Sequence, residues 1–260
     1  MKIKVMTFNL RVRVEQDGNN YFDLRRGKVL DLINREAPDL IGFQEATDPM
    51  LDWLRESLTD YYVLGHGRGA DYRGEGIPIA YRKDRFELHA FCEEWLSAYP
   101  QKAASVFEGL DQSKYPRVLL TAELVVKECG ALMSFFNIHT DHRGTMARVA
   151  ECTVLVQRMA QSRHAFVVTG DFNALPDSPE IGLITATAES LGTVDATREI
   201  KGSFHGFRGD VGTRKIDYIF TNLPTDPSDS YAIEDDDSCG HYYSDHHALC
   251  AWVEIGAKNP

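Results

Sequence analysis

Val167-Val168-Thr169-Gly170-Asp171-Phe172-Asn173-Ala174 is the stretch that decides how this chain is read. Its β-branched apolar run reads as a buried strand, and Gly170 marks where the strand ends. A carboxylate and a carboxamide follow, two residues apart. On an extended segment such side chains leave on the same side, so Asp171 and Asn173 are expected to face one site at the strand's carboxyl end. A carboxylate takes a proton or holds a cation, and a carboxamide donates to an anionic oxygen without adding negative charge. The pair suits chemistry on a phosphate. A plain turn is the alternative, since Asp and Asn after Gly are common loop residues.

Upstream of that strand, residues 144–161 carry the clearest helical period, with Met146, Val149, Ala150, Val154 and Met159 as the expected buried stripe. Residues 117–126 and 132–139 read as a hairpin ending in Asn137-Ile-His139-Thr-Asp141-His142. At the chain's start, residues 2–9 form a strand ending at Asn9, and residues 39–45 a short buried strand ending at Glu45. Between them Asp23 is the expected N-cap of a helix to about Ala37, with Val29, Leu30, Ile33 and Ala37 on its apolar face. A second helix covers 49–58. Strands follow at 61–65, 77–81 and 86–95. The glycine-rich loop 65–76 carries Arg68, Asp71, Arg73 and Glu75, and lacks the lysine-serine or lysine-threonine of a nucleotide-cradling loop. Residues 97–115 have no period and are expected to form a long excursion over the site.

Downstream, a turn at 176–179 leads to a short helix over 180–188, and residues 189–212 read as mostly loop. Lys215-Ile-Asp217-Tyr-Ile-Phe220 reads as a strand with an acid among apolar residues. Residues 226–237 are very acidic and read as solvated surface with one further edge strand. Ser244-Asp245-His246-His247 precedes a last strand over 248–255. No repeat or long linker divides the chain, so one domain over 1–260 is expected.

Polar groups thus recur at strand ends: Asn9, Glu45, His139, Asp171, Asn173, Asp217, Asp245 and His246, with Glu75 in a flanking loop. Paired strands deliver such ends to a common rim. Phosphoester hydrolysis needs a hard cation on the phosphoryl oxygens, a base or positioner for water, and donors for the developing charge. Carboxylates without cysteine suit Mg²⁺ or Mn²⁺ rather than zinc. A histidine oriented by a buried carboxylate is the usual general base, and Asp217 is the candidate to orient His246, because an unpaired buried acid is costly. Singly, each of these residues also has a structural explanation: Asn9 in a turn, Glu45 in a helix's first turn.

The net charge of -11 and pI near 5.3 disfavour a long nonspecific grip on nucleic acid unless basic residues cluster locally. The five scattered cysteines, Cys92, Cys129, Cys152, Cys239 and Cys250, are odd in number with no Cys-x-x-Cys pair, and fit free thiols in a reducing compartment. No apolar run approaches the roughly 20 residues that span a bilayer, and the first residues alternate like a strand rather than a signal peptide. The expectation is a cytoplasmic protein without stable membrane association.

Phe8-Asn9, Gln44-Glu45, Asn137-Ile-His139-Thr-Asp141-His142, Gly170-Asp-Phe-Asn173, Lys215-Ile-Asp217-Tyr-Ile and Ser244-Asp-His246 together resemble the ordered motifs of the endonuclease/exonuclease/phosphatase superfamily. The resemblance covers nearly the whole chain, and six ordered motifs are specific where any one is weak. Residues 74–81 and 91–97 look most like small bacterial members related to the deadenylases. The resemblance implies an α+β, four-layer α/β/β/α sandwich, with two mainly antiparallel sheets packed face to face and helices outside. It also implies a Mg²⁺-dependent hydrolase of phosphoester bonds, with Mn²⁺ as the alternative cation.

Carried over by position, Glu45 would be the principal metal ligand, aided by Asn9 and Asp245. His246 would be general base or phosphate-polarising group, held by Asp217. Asp171 would position or deprotonate water, and Asn173 would hold a phosphate oxygen. His139 matches a second histidine that a glutamate partners, here Glu75, and Arg117 resembles a phosphate-contacting arginine. Which of Asp171 and His246 takes the proton stays open. His142, Arg143, Arg148 and His247 lie near the motifs and are equally explained as solvated residues; His205 divides evenly between loop packing and substrate contact.

The substrate expected from the acidic surface is a small phosphorylated compound, handled by a monomer. A nuclease is the rival, with Arg11, Arg13, Arg68, Arg73, Arg143 and Arg148 as its only plausible basic strip. A lipid phosphodiesterase lacks an evident anchor. A non-catalytic scaffold would show substitutions at the metal and base positions, and none is present.

Overall fold

The computed structural model describes residues 1–208, 214–234 and 242–256. Two six-stranded mixed sheets face each other, with helices on both outer surfaces. The first sheet has the order β11-β12-β1-β2-β4-β3, comprising Tyr231–Ile233, Ala248–Glu254, Lys2–Asn9, Leu40–Gln44, Ile79–Arg82 and Tyr61–Leu64. The second has the order β5-β6-β7-β8-β10-β9, comprising Phe86–Trp95, Val118–Val126, Leu132–His139, Ala165–Asp171, Asp217–Thr221 and Val194–Asp195. Pairing is antiparallel except for β1 with β2 and β7 with β8. This is the expected four-layer sandwich.

One apolar core lies between the sheets, built from Val5, Leu40 and Val253 on one side and Leu120, Phe135, Val167 and Ile219 on the other. The outer face of the first sheet is covered by α1 (Phe22–Glu36) and α2 (Asp48–Ser57). The outer face of the second is covered by α3 (Thr145–Gln161) and α4 (Pro179–Thr185). A polar tie crosses the apolar middle. Gln44 Nε2 donates to Asn137 Oδ1 at 2.9 Å, Asn137 Nδ2 donates to the Phe43 carbonyl at 2.8 Å, and Thr169 Oγ1 donates to Asn137 Oδ1 at 3.0 Å. Gly42 makes room for it: a Cβ there would stand 1.9 Å from Thr169 Oγ1. Buried amides are costly unless bonded, so the tie fixes how the sheets sit on each other.

Several local expectations are corrected. Asp23 does not cap α1: Tyr21 holds the N-cap position without a side-chain bond, and Asp23 pairs with Arg13 instead. Ala37, expected on the apolar face, is exposed and turns the chain out of α1 with φ 43°. In α3 the buried stripe is Ala147, Glu151, Cys152, Leu155 and Met159, whereas Met146 is 60% exposed. Glu151 explains the rotation, for its Oε2 accepts from the Asp141 amide at 2.7 Å and draws that helix face inward. The stretch 189–212 is mostly loop as expected over its described residues, with α5 (Ala188–Leu191) and β9 as its short regular pieces. Of the acidic stretch, residues 235–237 lie outside the described residues, as does Cys239; the other four cysteines are free. Among the described residues no helix is long and apolar enough to cross a membrane.

Candidate active site

Both sheets end their functional strands at one rim. From the first come Asn9, closing β1, Glu45, following β2, and Asp245 and His246, preceding β12. From the second come Arg117, preceding β6, His139, closing β7, Asp171, closing β8, and Asp217, opening β10. Asp217 and Asp171 are direct partners across the β8–β10 ladder. All the expected site residues except the interior Asn9 and Asp217 line one cleft of about 460 Å³.

The backbone aims several of these groups by leaving the strand. Glu45 has φ 61° and Asn173 φ 47°, both left-handed, a conformation that costs a non-glycine residue about 1 kcal/mol or more. The expectation that Asp171 and Asn173 share a side through extended alternation is therefore corrected. Asp171 ends the strand, its Oδ1 accepts the Asn173 amide at 2.9 Å, and the turn brings both to the cleft. Glu45 is not a first-turn helix residue either, since α2 begins at Asp48.

His246 Nδ1 lies 2.8 Å from Asp217 Oδ2, and that oxygen also accepts from Ser203 Oγ at 2.6 Å. The pairing directs His246 Nε2 toward Asp171 Oδ2, 3.8 Å away. Burial opposes a charge on His246, but Asp217, then Asp245 and Asp171, outweigh it and push its pKa up to about 10. Burial and then the Asp217 charge raise the Asp171 carboxyl to about 7. Asn9 Nδ2 bridges the two carboxylates, donating to Asp171 Oδ2 at 2.9 Å and Glu45 Oε1 at 3.2 Å, while its Oδ1 accepts from the Arg11 amide. Glu45 stays easily ionised despite burial because of the His246 charge and the Val12 amide. Asp245 is raised by burial.

His139 Nε2 stands 3.6 Å from Asp171 Oδ2 and its Nδ1 3.6 Å from Glu75 Oε1. Glu75 is thus beside His139 as expected, but its closer partner is Arg68, at 2.7 Å. Burial, then Arg117 and Arg68, hold the His139 pKa well below the ordinary value, so the ring is neutral. Arg117 is 2% exposed; its Nη2 meets His142 Nδ1 at 3.0 Å, while its Nε and Nη1 have no hydrogen-bond acceptor.

A divalent cation fits this donor set. Carboxylate and imidazole atoms of Glu45, His139 and Asp171 lie within 4.8 Å of one another, as do those of Asp171, Asp217 and His246. Oxygen predominates and no thiol is present, which suits a hard ion.

Ile216, inside the Lys215-Ile-Asp217 motif, also lines the cleft, as do Tyr115, Phe204 and Arg214, which no sequence motif singles out. At the His205 loop it is the flanking residues that reach the site: Phe204 meets the His246 ring edge-on at 4.9 Å, and Ser203 holds Asp217. The only signal is the aromatic loop Ser203-Phe-His-Gly-Phe207 itself.

Two facing mixed sheets with acids and histidines gathered at one shared rim define an α/β sandwich of the deoxyribonuclease I-like kind. The sequence matches the endonuclease/exonuclease/phosphatase family over residues 6–246, and the chain belongs to that family. Its members are hydrolases of phosphoester bonds. A solved family protein from Bacteroides vulgatus is 26% identical with a TM-score of 0.89, covering 98% of this chain and 100% of that one. A mannosyl-6-phosphatase from Bacteroides thetaiotaomicron is 24% identical with a TM-score of 0.83, covering 97% and 100%. An uncharacterized protein of Acanthamoeba polyphaga mimivirus is 26% identical over 212 residues, 75% of this chain and 78% of that protein.

Proposed function

We propose that this chain is a divalent-metal-dependent phosphoester hydrolase of small phosphorylated compounds, acting as a one-domain monomer. The observation that carries the reading is the buried relay Asp217–His246–Asp171, opening on the same cleft as Glu45. Glu45, with Asp245 and Asn9, would hold Mg²⁺ or Mn²⁺. When bound, the ion would supply positive charge to the phosphoryl oxygens.

The side chains divide the remaining work. Asp171, near neutrality in its affinity for a proton, takes one from the attacking water as the water oxygen bonds to phosphorus. The P–O ester bond breaks, its electron pair leaves on the alcohol oxygen, and the charged His246 returns a proton to that oxygen. Asp217 keeps His246 charged and aligned. Neutral His139, Asn173 Nδ2 and Arg117 are the donors placed for phosphoryl oxygens.

The charge of -11 supports a small substrate over a polymer. So does the fate of the basic strip a nuclease would need: Arg11 pairs with Asp17, Arg13 with Asp23, Arg68 with Glu75 and Arg148 with Glu180. A phosphorylated sugar, the kind of compound for which the Bacteroides thetaiotaomicron mannosyl-6-phosphatase is named, is one member of the proposed class.

The test is a Mg²⁺- and Mn²⁺-supplemented panel of nitrophenyl phosphate, bis-nitrophenyl phosphate, RNA, DNA and a lipid phosphodiester, with His246→Ala as blank. Metal-dependent turnover of small esters alone is expected. Efficient polymer cleavage would make it a nuclease, and silence on every substrate would make it a scaffold.

A further inference from the structure

Behind the wall of the cleft lie two histidines that the hydrolysis does not use. Phe204 and His246 face each other in an antiparallel bridge. The His205 amide donates to the Asp245 carbonyl at 3.0 Å, and the His247 amide to the Ser203 carbonyl at 2.7 Å. Side chains alternate along such a pairing. Phe204 and His246 turn to the cleft, so His205 and His247 turn the other way, and neither of them lines it.

On that far side the two imidazole rings stack, with 4.5 Å between centroids and 26° between planes. Two charged rings would repel at that distance, so both are neutral, the form that binds a metal. His205 is 4% and His247 3% exposed, and among the described residues none of their four ring nitrogens has a hydrogen-bond partner. Each neutral imidazole carries one N–H donor and one lone pair. Burying these groups unmet is costly. Aromatic packing, to which Tyr242 adds a ring 5.0 Å from His205, gives no reason for nitrogen in either ring.

The register of β11 on β12 supplies a third group. Ala232 pairs with Leu249 and Ile233 with Ala248, so the next residues across the ladder are Glu234 and His247. The Glu234 charge acts on the His247 ring, and the Ile233 carbonyl lies toward that ring without completing a hydrogen bond. Metal-binding imidazoles direct their second nitrogen to just such carbonyls. Glu234 is exposed, which gives an ion a way in.

We propose that His205 and His247, joined by the Glu234 carboxylate, form a second metal site, separate from the cleft, for a transition-metal ion of the Zn²⁺ kind. Two imidazoles and one carboxylate suit that ion better than Mg²⁺, which takes oxygen ligands. One lone pair from each ring would meet it, with water in the remaining position. Bound there, it would tie the Ser203–Phe207 loop, whose Ser203 holds Asp217, to the head of β12 and the end of β11. The site stands independently of the hydrolase reading.

The test is equilibrium dialysis against Zn²⁺, with excess Mg²⁺ to fill the cleft, for wild type, His205→Phe, His247→Phe and Glu45→Gln. A Tm for each, with and without Zn²⁺, accompanies it. Phe keeps the ring stack while removing the nitrogens. Wild type and Glu45→Gln should each hold one Zn²⁺ that both Phe variants hold at least about tenfold more weakly, the scale on which even the outer partners of a metal ligand act. Zn²⁺ should raise the Tm of the first two and leave that of the Phe variants unchanged. Equal Zn²⁺ binding in wild type and both Phe variants, or a loss confined to Glu45→Gln, would put the ion in the cleft and overturn the proposal. No Zn²⁺ binding by the wild type would overturn it as well. If neither Phe variant folds, the exposed substitution Glu234→Gln decides: weakened Zn²⁺ binding upholds the site and unchanged binding overturns it.

Discussion

Replacing Glu151 by Gln should make the protein more stable, and increasingly so as the pH rises. Glu151 sits on the inner face of α3, with Oε2 accepting from the Asp141 amide and Oε1 without a partner. Burial raises its pKa from 4.5 to about 8, against the pull of the Asp141 amide. Unfolded, it titrates at its ordinary value, so between these limits the folded state binds more protons than the unfolded. Stability then falls with rising pH, by about 1.4 kcal/mol per pH unit, and the contribution of this group is fully present only below pH 4.5. Gln keeps the shape and the acceptor but does not titrate. The stability difference, Gln variant minus wild type, should therefore be flat below pH 4.5, grow by several kcal/mol up to about pH 8, and be flat again above it. For a domain of this size that corresponds to roughly 3–5 °C in Tm per pH unit at most. Urea melts of both proteins at half-unit pH steps, without added metal, supply the curve. A difference that stays constant from pH 5 to pH 8 would refute the reasoning, for it would mean that Glu151 reaches water.

Three further outcomes are expected. Glu45→Gln should abolish metal-dependent hydrolysis with unchanged circular dichroism, and chelation of the wild type should do the same until Mg²⁺ or Mn²⁺ is returned. Asp217→Asn should lower kcat/KM by about 10²–10⁴-fold. Because burial disfavours a charged His246 once its partner is gone, the alkaline limb of its pH–rate profile should move to lower pH. Gly42→Ala should cost roughly 1–3 kcal/mol or more, read as a lowered Tm, because its methyl would meet Thr169 Oγ1 and Asn137 Oδ1 at 1.9 and 2.5 Å; an unchanged Tm would show that the polar tie yields freely.

Much of the site is readable from the chain because its acids and histidines interrupt apolar strands at their ends, where period and polarity change together. Asp217 stands out for that reason, and its bond to His246 follows from the cost of burying it alone. What escapes such reading depends on long-range packing. The resemblance alone names Arg117, and nothing in the local sequence shows that it and Arg68 are buried. Tyr115, Phe204 and Arg214 belong to loops without period, so nothing local marks which of their side chains turn inward. The α3 stripe differs from its expected place because a glutamate takes an inward position that patterning reserves for apolar residues. The left-handed turn at Glu45 has no local preference behind it, whereas at Asn173 the residue type tolerates that conformation and a local bond from its amide to Asp171 Oδ1 holds it.

The rim takes Asn9, Glu45, Asp245 and His246 from one sheet and Arg117, His139, Asp171 and Asp217 from the other. No contiguous fragment of the chain therefore carries a working half. During refolding, hydrolysis should return only when the two sheets dock, after the secondary structure of each has formed. Recovered turnover is then a clock for that last event. Two fragments cut in the excursion between β5 and β6 should each be silent and regain activity together, with a rate that rises with their concentration.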